Sequence, residues 1–505
     1  MTHLHDILTG GVARHADRVA VIFRDRKLTY EQLLLASRIM AAALRASGLR
    51  PGDRVALLDE NSLEYPVVVF AVSLIGAVFV PVNFRYSPDE VAYVVNDSAP
   101  RLLLVSPDYE ARAEQASARF RTDTRIVALE SAEALLAGSV PPARVADDSR
   151  DAPAMIMYTS GTTGFPKGAL ISHAAYLANV EAIANAGELT GDDRLLVSLP
   201  LFHNGGLIAL LMPALSRGAP AVILPRGFDP DHVMSLVERH RITVTMWVPT
   251  MLAMILEAGA TERHDASSLQ RIWYGSSPIA PELFARVRAA FGARLYQFYG
   301  MTETGMTAVL TPDDHAIHPQ GTGKAMAPAT LRIVDGSGAD VPDGAVGELI
   351  SKQAPLGMLG YLGNDEATRE TVRDGWIHTG DMARNLGDGY FLLVDRKTDM
   401  IISGAENIYP REIENVLTAH PQVAEAAVFG IPDPVYGEAV CAAVVYVEGA
   451  DLREADLIAH CGERLAGYKK PKRVIAQDAL PRNAAGKVMK TVLRAPFWQE
   501  RERAI

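Results

Sequence analysis

Residues 158–168 read Tyr158-Thr159-Ser160-Gly161-Thr162-Thr163-Gly164-Phe165-Pro166-Lys167-Gly168, directly after the apolar run Ala154-Met155-Ile156-Met157. The run has the length and make-up of a buried strand. The eleven residues after it have the chemistry of an anion cradle. Four aliphatic hydroxyls (Thr159, Ser160, Thr162, Thr163) can donate hydrogen bonds, three glycines let backbone N–H groups turn towards an anion, and Lys167 adds a compact positive charge. The fitting guest is a phosphate. The spacing is not that of the common nucleotide loop, which needs Gly, four residues and then Gly-Lys-Ser/Thr; no Gly-Lys pair in the chain is followed by Ser or Thr.

A chain of 505 residues is too long for one hydrophobic core, so two or more domains are expected. Hydrophobic residues at 49% and charged residues at 22% fit a globular protein, and a net charge of −11 carries no general footprint for nucleic acid or an anionic membrane. The two cysteines, Cys441 and Cys461, have no ligand spacing and read as inert thiols of a reducing compartment. The first residues lack a basic segment followed by an apolar run, so no signal peptide is read and a cytoplasmic location is expected. Tyr65 to Phe84 holds 20 residues without a charge, but Pro66, Gly76 and Pro81 punctuate it, so it reads as a buried helix running into a buried strand and not as a membrane span. The pairs His3/His5 and His315/His318 read as solvated histidines, because a zinc site needs three or four ligands.

Up to about residue 320 the chain alternates helix-like and strand-like segments. Thr29-x-x-Gln32 and Ser87-Pro88-Asp89-Glu90 have capping-box spacing. Apolar runs at Val55–Leu58, Leu102–Val105, Leu195–Val197, Ala221–Leu224, Val244–Val248 and Leu295–Tyr299 read as strands of parallel sheets covered by helices on both faces. Beyond residue 320, Gly- and Asp-rich turns such as Asp335-Gly336-Ser337-Gly338 and Gly387-Asp388-Gly389 predict hairpins. The charge cluster Asp395-Arg396-Lys397-Thr398-Asp399 precedes a small α/β unit. The expectation is an α/β protein with a large N-terminal domain over 1–395, including a small β subdomain, and a small C-terminal domain over 396–505.

Four further stretches carry chemistry. In Tyr299-Gly300-Met301-Thr302-Glu303-Thr304-Gly305, Glu303 offers hard oxygen for Mg²⁺, Thr302 a donor for phosphate and Tyr299 a ring for a base. In Gly375-Trp376-Ile377-His378-Thr379-Gly380-Asp381, the Asp381 carboxylate can accept from both hydroxyls of a ribose. The other two are Asp395 to Asn407 and Pro481-Arg482-Asn483-Ala484-Ala485-Gly486-Lys487.

These five stretches, in this order, resemble the signature sequences of the adenylate-forming superfamily: acyl-CoA synthetases, adenylation domains and firefly luciferase. The resemblance covers nearly the whole chain, because Leu28-Thr29-Tyr30 and Val80-Pro81-Val82-Asn83 also look like N-terminal segments of the family. It implies ATP-dependent activation of a small carboxylic acid to an acyl-adenylate with release of pyrophosphate, followed by transfer of the acyl group to coenzyme A. The cofactors implied are ATP, Mg²⁺ and coenzyme A. By resemblance Thr159, Ser160, Gly161, Thr162, Thr163 and Lys167 hold the β- and γ-phosphates, Ser276, Ser277, Pro278 and Tyr299 flank adenine, Thr302 binds the α-phosphate, Glu303 the Mg²⁺, and Asp381 with Arg396 the ribose. Lys487 matches the mobile catalytic lysine, whose ammonium acts on charge that develops as the carboxylate attacks. Thr398 stands at the pivot about which the small domain rotates, where relatives usually have Lys or Asp.

The acyl pocket implied by the same resemblance comprises His203, Trp247, Gly275, Gly300, Met301, Met306 and Thr307, with His203 as a wall or gate near the carboxylate. No placed acidic residue would pair with an α-amino group, and the methionines and Trp247 suit a compact aromatic or medium-length acid. For the acceptor, Tyr468, Lys470 and Lys472 resemble the loop where some relatives bind the CoA nucleotide, and Ala405 replaces the usual glycine near the pantetheine passage. An amine acceptor, as in stand-alone amide synthetases of the superfamily, and a non-catalytic nucleotide-binding protein are the alternatives. No nucleic acid and no transmembrane segment are expected; monomer and homodimer are both open.

Overall fold

The computed structural model describes residues 1–137, 149–159, 166–277, 279–403, 406–482 and 488–498. Ser160, Gly161, Thr162, Thr163, Pro278, Ala405 and Lys487 therefore lie outside the described residues. The chain forms two compact units: a larger one carrying the described residues up to Leu331 together with Ile350–Thr379, and a smaller one carrying Arg332–Leu349 and the described residues from Gly380 on.

The larger unit is built on two stacked sheets. In one, the strands run in the order Gly323–Ala325, Gly305–Leu310, Arg294–Met301, Arg271–Gly275, Val244–Trp247, Leu195–Val197, Ala221–Ile223, Val19–Phe23, Arg26–Thr29. From Arg294–Met301 to Val19–Phe23 every pairing is parallel. The other runs Gly360–Tyr361, Lys167–Ser172, Pro153–Thr159, Val78–Val82, Arg54–Leu58, Leu102–Val105, Arg125–Ala128. Between the sheets lie the helices Glu64–Leu74, His173–Ala186 and Met212–Arg217, which share one apolar core with both sheets. Helices Pro230–His240, Pro249–Glu257 and Pro281–Phe291 cover the outer face of the first sheet, and Pro88–Ser98 with Glu110–Ser117 cover that of the second.

The local signals account for these elements. Thr29 and Ser87 cap their helices with complete capping boxes. The uncharged stretch resolves as the helix Glu64–Leu74, buried along its whole length, and the buried strand Val78–Val82. A helix apolar on every face belongs inside a large core. No helix among the described residues is long and apolar enough to cross a membrane. Two of the four histidines read as solvated are instead buried: the His5 ring meets Ser73 Oγ at 3.0 Å, and that of His315 meets Tyr274 Oη at 2.8 Å and Thr311 O at 2.7 Å. No group of three or more potential metal ligands occurs among the described residues.

In the smaller unit, Tyr390–Arg396 pairs antiparallel with the C-terminal part of Trp376–Gly387, and the turn between them is Gly387-Asp388-Gly389. A second sheet is dominated by the long hairpin Val423–Asp433 and Gly437–Tyr446; Gly437–Tyr446 also pairs with Arg473–Ala476 in parallel and, at its first residue, with Ile401–Ser403 antiparallel. Helices Pro410–Thr418 and Glu454–Gly462 pack on it. Both cysteines are buried here, which pushes their thiols up to about 12 for Cys441 and about 11 for Cys461 and keeps them protonated.

Candidate nucleotide and acyl site

The described ends of the anion stretch lie on a pair of antiparallel strands. Pro153–Thr159 leads in, Lys167–Ser172 leads out, and Thr159 lies opposite Lys167. Thr159 Oγ1 donates to Lys167 O at 3.4 Å. The Lys167 ammonium rests over the ring of Tyr361, 5.2 Å from its centroid, and the Tyr361 hydroxyl donates to Glu303 Oε1 at 2.8 Å. Through one tyrosine the first and second signature stretches converge, although they are more than a hundred residues apart in the chain. Glu303 is buried, and its backbone carbonyl accepts from Met358 N at 2.8 Å.

The second stretch forms the turn between Arg294–Met301 and Gly305–Leu310. Gly305 has φ +69°, and a Cβ there would lie 2.1 Å from Asn179 Oδ1. A Cβ on Gly300 would lie 2.2 Å from Gly305 O, so neither glycine can be replaced without moving the turn. Asn179 fixes it from the helix behind: Oδ1 accepts from Met306 N at 2.9 Å, and Nδ2 donates to Ala175 O and Leu356 O, both at 2.9 Å.

Arg271–Gly275 and Arg294–Met301 are neighbouring parallel strands with Gly275 beside Phe298, so Ser276, Ser277 and Tyr299 emerge at one carboxyl edge. That is where open α/β sheets bind ligands. Ser276 holds φ +66°, a left-handed conformation sparsely used by residues with a side chain. Ser276 and Ser277 are exposed and Tyr299 is buried.

His203 caps a short turn, its Nδ1 accepting from Gly205 N at 3.2 Å. The residue is solvent-accessible, and desolvation by its surroundings holds its pKa below the usual histidine value. A neutral ring that accepts at Nδ1 carries its proton on Nε2. Gly300, Met301 and Met306 are half-buried. Trp247 is not with them. It is fully buried in the outer apolar layer, its ring centroid 5.7 Å from that of Phe291, and it offers no surface to a bound acid. Thr307 and Gly275 are likewise fully enclosed, Gly275 because a Cβ would lie 2.5 Å from Phe298 O. Trp247→Phe is expected to lower stability by about 1 kcal/mol and leave the KM for the acid within twofold, measured by denaturation and steady-state kinetics.

In the smaller unit, Asp381 and Arg396 lie opposite each other across their strands, with Arg396 Nε 2.6 Å from Asp381 Oδ1. Asp381 is buried, and the Arg396 side chain is partly exposed. Next to them Thr398 O accepts from Arg494 Nη1 at 3.4 Å. Lys490 Nζ lies 2.7 Å from Glu414 Oε1. Burial alone would lower the Lys490 pKa, but Glu414, Asp395 and Asp399 outweigh it and raise it. Asp395 is itself raised, chiefly by burial. Tyr468, Lys470 and Lys472 are all exposed. Lys472 adds a partner that sequence reasoning missed: its ammonium lies 4.4 Å from the ring centroid of Tyr436 and 3.0 Å from Asp433 Oδ2.

Comparison with known proteins identifies the family. The AMP-binding enzyme family profile matches residues 9–362, and that of the AMP-binding enzyme C-terminal domain matches 412–487. The chain is 40% identical over 504 residues to an indoleacetate–CoA ligase of Aromatoleum aromaticum, covering 96% of this chain and 97% of the relative. Among solved structures, ATP-bound MatB from Rhodopseudomonas palustris superposes with a TM-score of 0.90 at 32% identity, covering 98% of this chain and 99% of that one. The amide bond synthetase McbA from Marinactinospora thermotolerans superposes with a TM-score of 0.89 at 35% identity and the same coverages. The chain belongs to the AMP-binding enzyme family, the adenylate-forming enzymes. Within it the chain is an AMP-forming acid–thiol ligase of the acyl-CoA synthetase type.

Proposed function

We propose that the chain adenylates a compact aromatic or medium-length carboxylic acid with ATP and passes the acyl group to coenzyme A. The observation that carries this reading is the convergence of Lys167 and Glu303 on Tyr361, which joins a phosphate-type cation to a buried carboxylate in one unit. In the reaction, Lys167 with the hydroxyls of the cradle binds the β- and γ-phosphates, Thr302 the α-phosphate, and Asp381 with Arg396 the ribose, while Ser276, Ser277, Pro278 and Tyr299 flank adenine. Neutral His203 directs Nε2–H at the carboxylate of the acid, and the methionines shape the wall behind it. Lys487 acts on the charge that develops at the α-phosphate.

Glu303 fits a magnesium ion. It is buried, one oxygen is held by Tyr361, and no protein donor among the described residues takes the other. Bound there, Mg²⁺ supplies charge neutralisation for the phosphates. The acceptor loop is Tyr468, Lys470 and Lys472, with Tyr436 as a second exposed ring beside Lys472. The indoleacetate–CoA ligase supports both the aromatic acid and the CoA acceptor. The test is a panel of carboxylic acids assayed for pyrophosphate release, followed by CoA and amines offered as acceptors for the best acid. Absence of pyrophosphate release with every acid would remove the reading.

An amine acceptor is the second reading, supported by Ala405 and by the likeness to McbA. Ala405→Gly separates the two. With CoA as acceptor, adenylation stays unchanged and the thioester step is preserved or faster, since only a methyl group is removed from the passage. A large fall in the CoA-dependent step would favour the amine.

A further inference from the structure

Tyr361 was not among the residues singled out from the sequence, and its setting is unusually constrained. It lies on the two-residue strand Gly360–Tyr361, opposite Ala169 of the strand that begins with Lys167. Its neighbours Leu359 and Leu362 donate to Leu170 O and Gly168 O, both at 2.8 Å. Its own N–H donates to Thr368 Oγ1 at 2.9 Å. Gly360 has φ +154° and would place a Cβ 2.9 Å from Thr368 Cγ2. The backbone on both sides of the ring is therefore fixed.

The ring receives the Lys167 ammonium on its face while its hydroxyl bonds Glu303. An ammonium and a carboxylate that reach the same side chain attract one another strongly where water is scarce. Yet Lys167 and Glu303 form no ion pair: each is satisfied by a different part of the phenol, one by the π face and the other by the O–H. A direct pair would neutralise the cation meant for phosphate and the carboxylate meant for a metal.

We infer that Tyr361 is a positioning residue that insulates Lys167 from Glu303, keeping the lysine available to polyphosphate and aiming the carboxylate for a divalent cation. The inference rests on the roles proposed above for those two residues. Its two parts separate by substitution. Phenylalanine keeps the face and loses the hydroxyl, whereas leucine loses both.

The experiment measures ATP affinity calorimetrically on the full chain, once in EDTA and once across a Mg²⁺ series, for Tyr361→Phe, Tyr361→Leu, Glu303→Gln and Tyr361→Leu with Glu303→Gln. Tyr361→Phe should keep the EDTA affinity within twofold and raise the Mg²⁺ concentration needed for half-maximal tightening by about 3–10-fold, from the loss of one hydrogen bond to a charged group. Tyr361→Leu should weaken ATP about 5–10-fold even in EDTA, as Lys167 pairs with Glu303, and adding Glu303→Gln should restore that affinity. A purely structural tyrosine would not be rescued by neutralising Glu303. The inference falls if the Phe and Leu variants behave alike in EDTA, or if Glu303→Gln gives no rescue. The Phe variant keeps the ring volume, so the metal arm stands even if the Leu variant fails to fold. Glu303→Gln alone isolates the underlying reading: an unchanged Mg²⁺ requirement removes Glu303 as metal ligand, whereas a raised one with Tyr361→Phe unaffected removes only the role of Tyr361.

Discussion

Lys487→Ala is expected to slow acyl-adenylate formation by about 10²–10³-fold, roughly 3–4 kcal/mol of transition-state stabilisation. The residue closes the stretch Pro481 to Lys487, which resembles the catalytic-lysine loop of the family. Its ammonium is proposed to meet charge that grows on the α-phosphate and the attacking carboxylate, so it favours the transition state over the bound substrates. The thioester step is proposed to use another orientation of the small domain, without this lysine. A chemically supplied acyl-adenylate should then reach the thioester at close to the normal rate in the same mutant preparation. Single-turnover measurement of both half-reactions decides the matter. Equal losses in both would defeat the two-orientation mechanism, and no loss in the first would take Lys487 off the catalytic list.

Asp381→Ala should weaken ATP by about 30–100-fold, or roughly 2–3 kcal/mol. Two effects act together. On the proposed reading the ribose hydroxyls lose a charged acceptor, and hydrogen bonds to charged groups are the stronger kind. Arg396 also loses the carboxylate 2.6 Å from its Nε, so the guanidinium loses this anchor. The fold should survive, because Arg396 is partly exposed and water can take over its donors. Calorimetric ATP titration with a melting curve on the same sample is the check; an unchanged affinity at normal stability would remove Asp381 from the ribose site.

Much of the fold was legible in the sequence because its signals are local. The capping boxes at Thr29 and Ser87 and the apolar runs became helices and strands where the spacing put them. The uncharged stretch ending at Phe84 was decided correctly by its prolines and glycine, which are also local. Placement of Trp247 was not legible, since all four residues of Val244–Trp247 are buried and period-two alternation cannot say which face of a doubly covered strand looks to a ligand. Tyr361 was invisible for a different reason. It lies 58 residues from Glu303, and its position depends on a two-residue strand pairing too short to leave a periodic pattern. Asn179 was hidden likewise: its helix side chain acts on a turn 127 residues away. His5 and His315 show the limit of counting ligands, which bears on metal binding and says nothing of burial.

The residues that bracket the lysine loop have a mechanical consequence. Arg482 and Val488 are bridged as antiparallel partners, Met489 N donates to Pro481 O at 2.7 Å, and Arg482 is anchored at 2.6 Å to Glu425. Lys490 is seated among carboxylates that include Asp395 and Asp399, which flank Thr398. Both flanks of the loop are thus held within the same small unit, Arg482 through Glu425 of the long hairpin and Lys490 through Glu414 of the helix Pro410–Thr418. Whatever displaces that unit therefore displaces Arg482 and Val488 together, as one bracket.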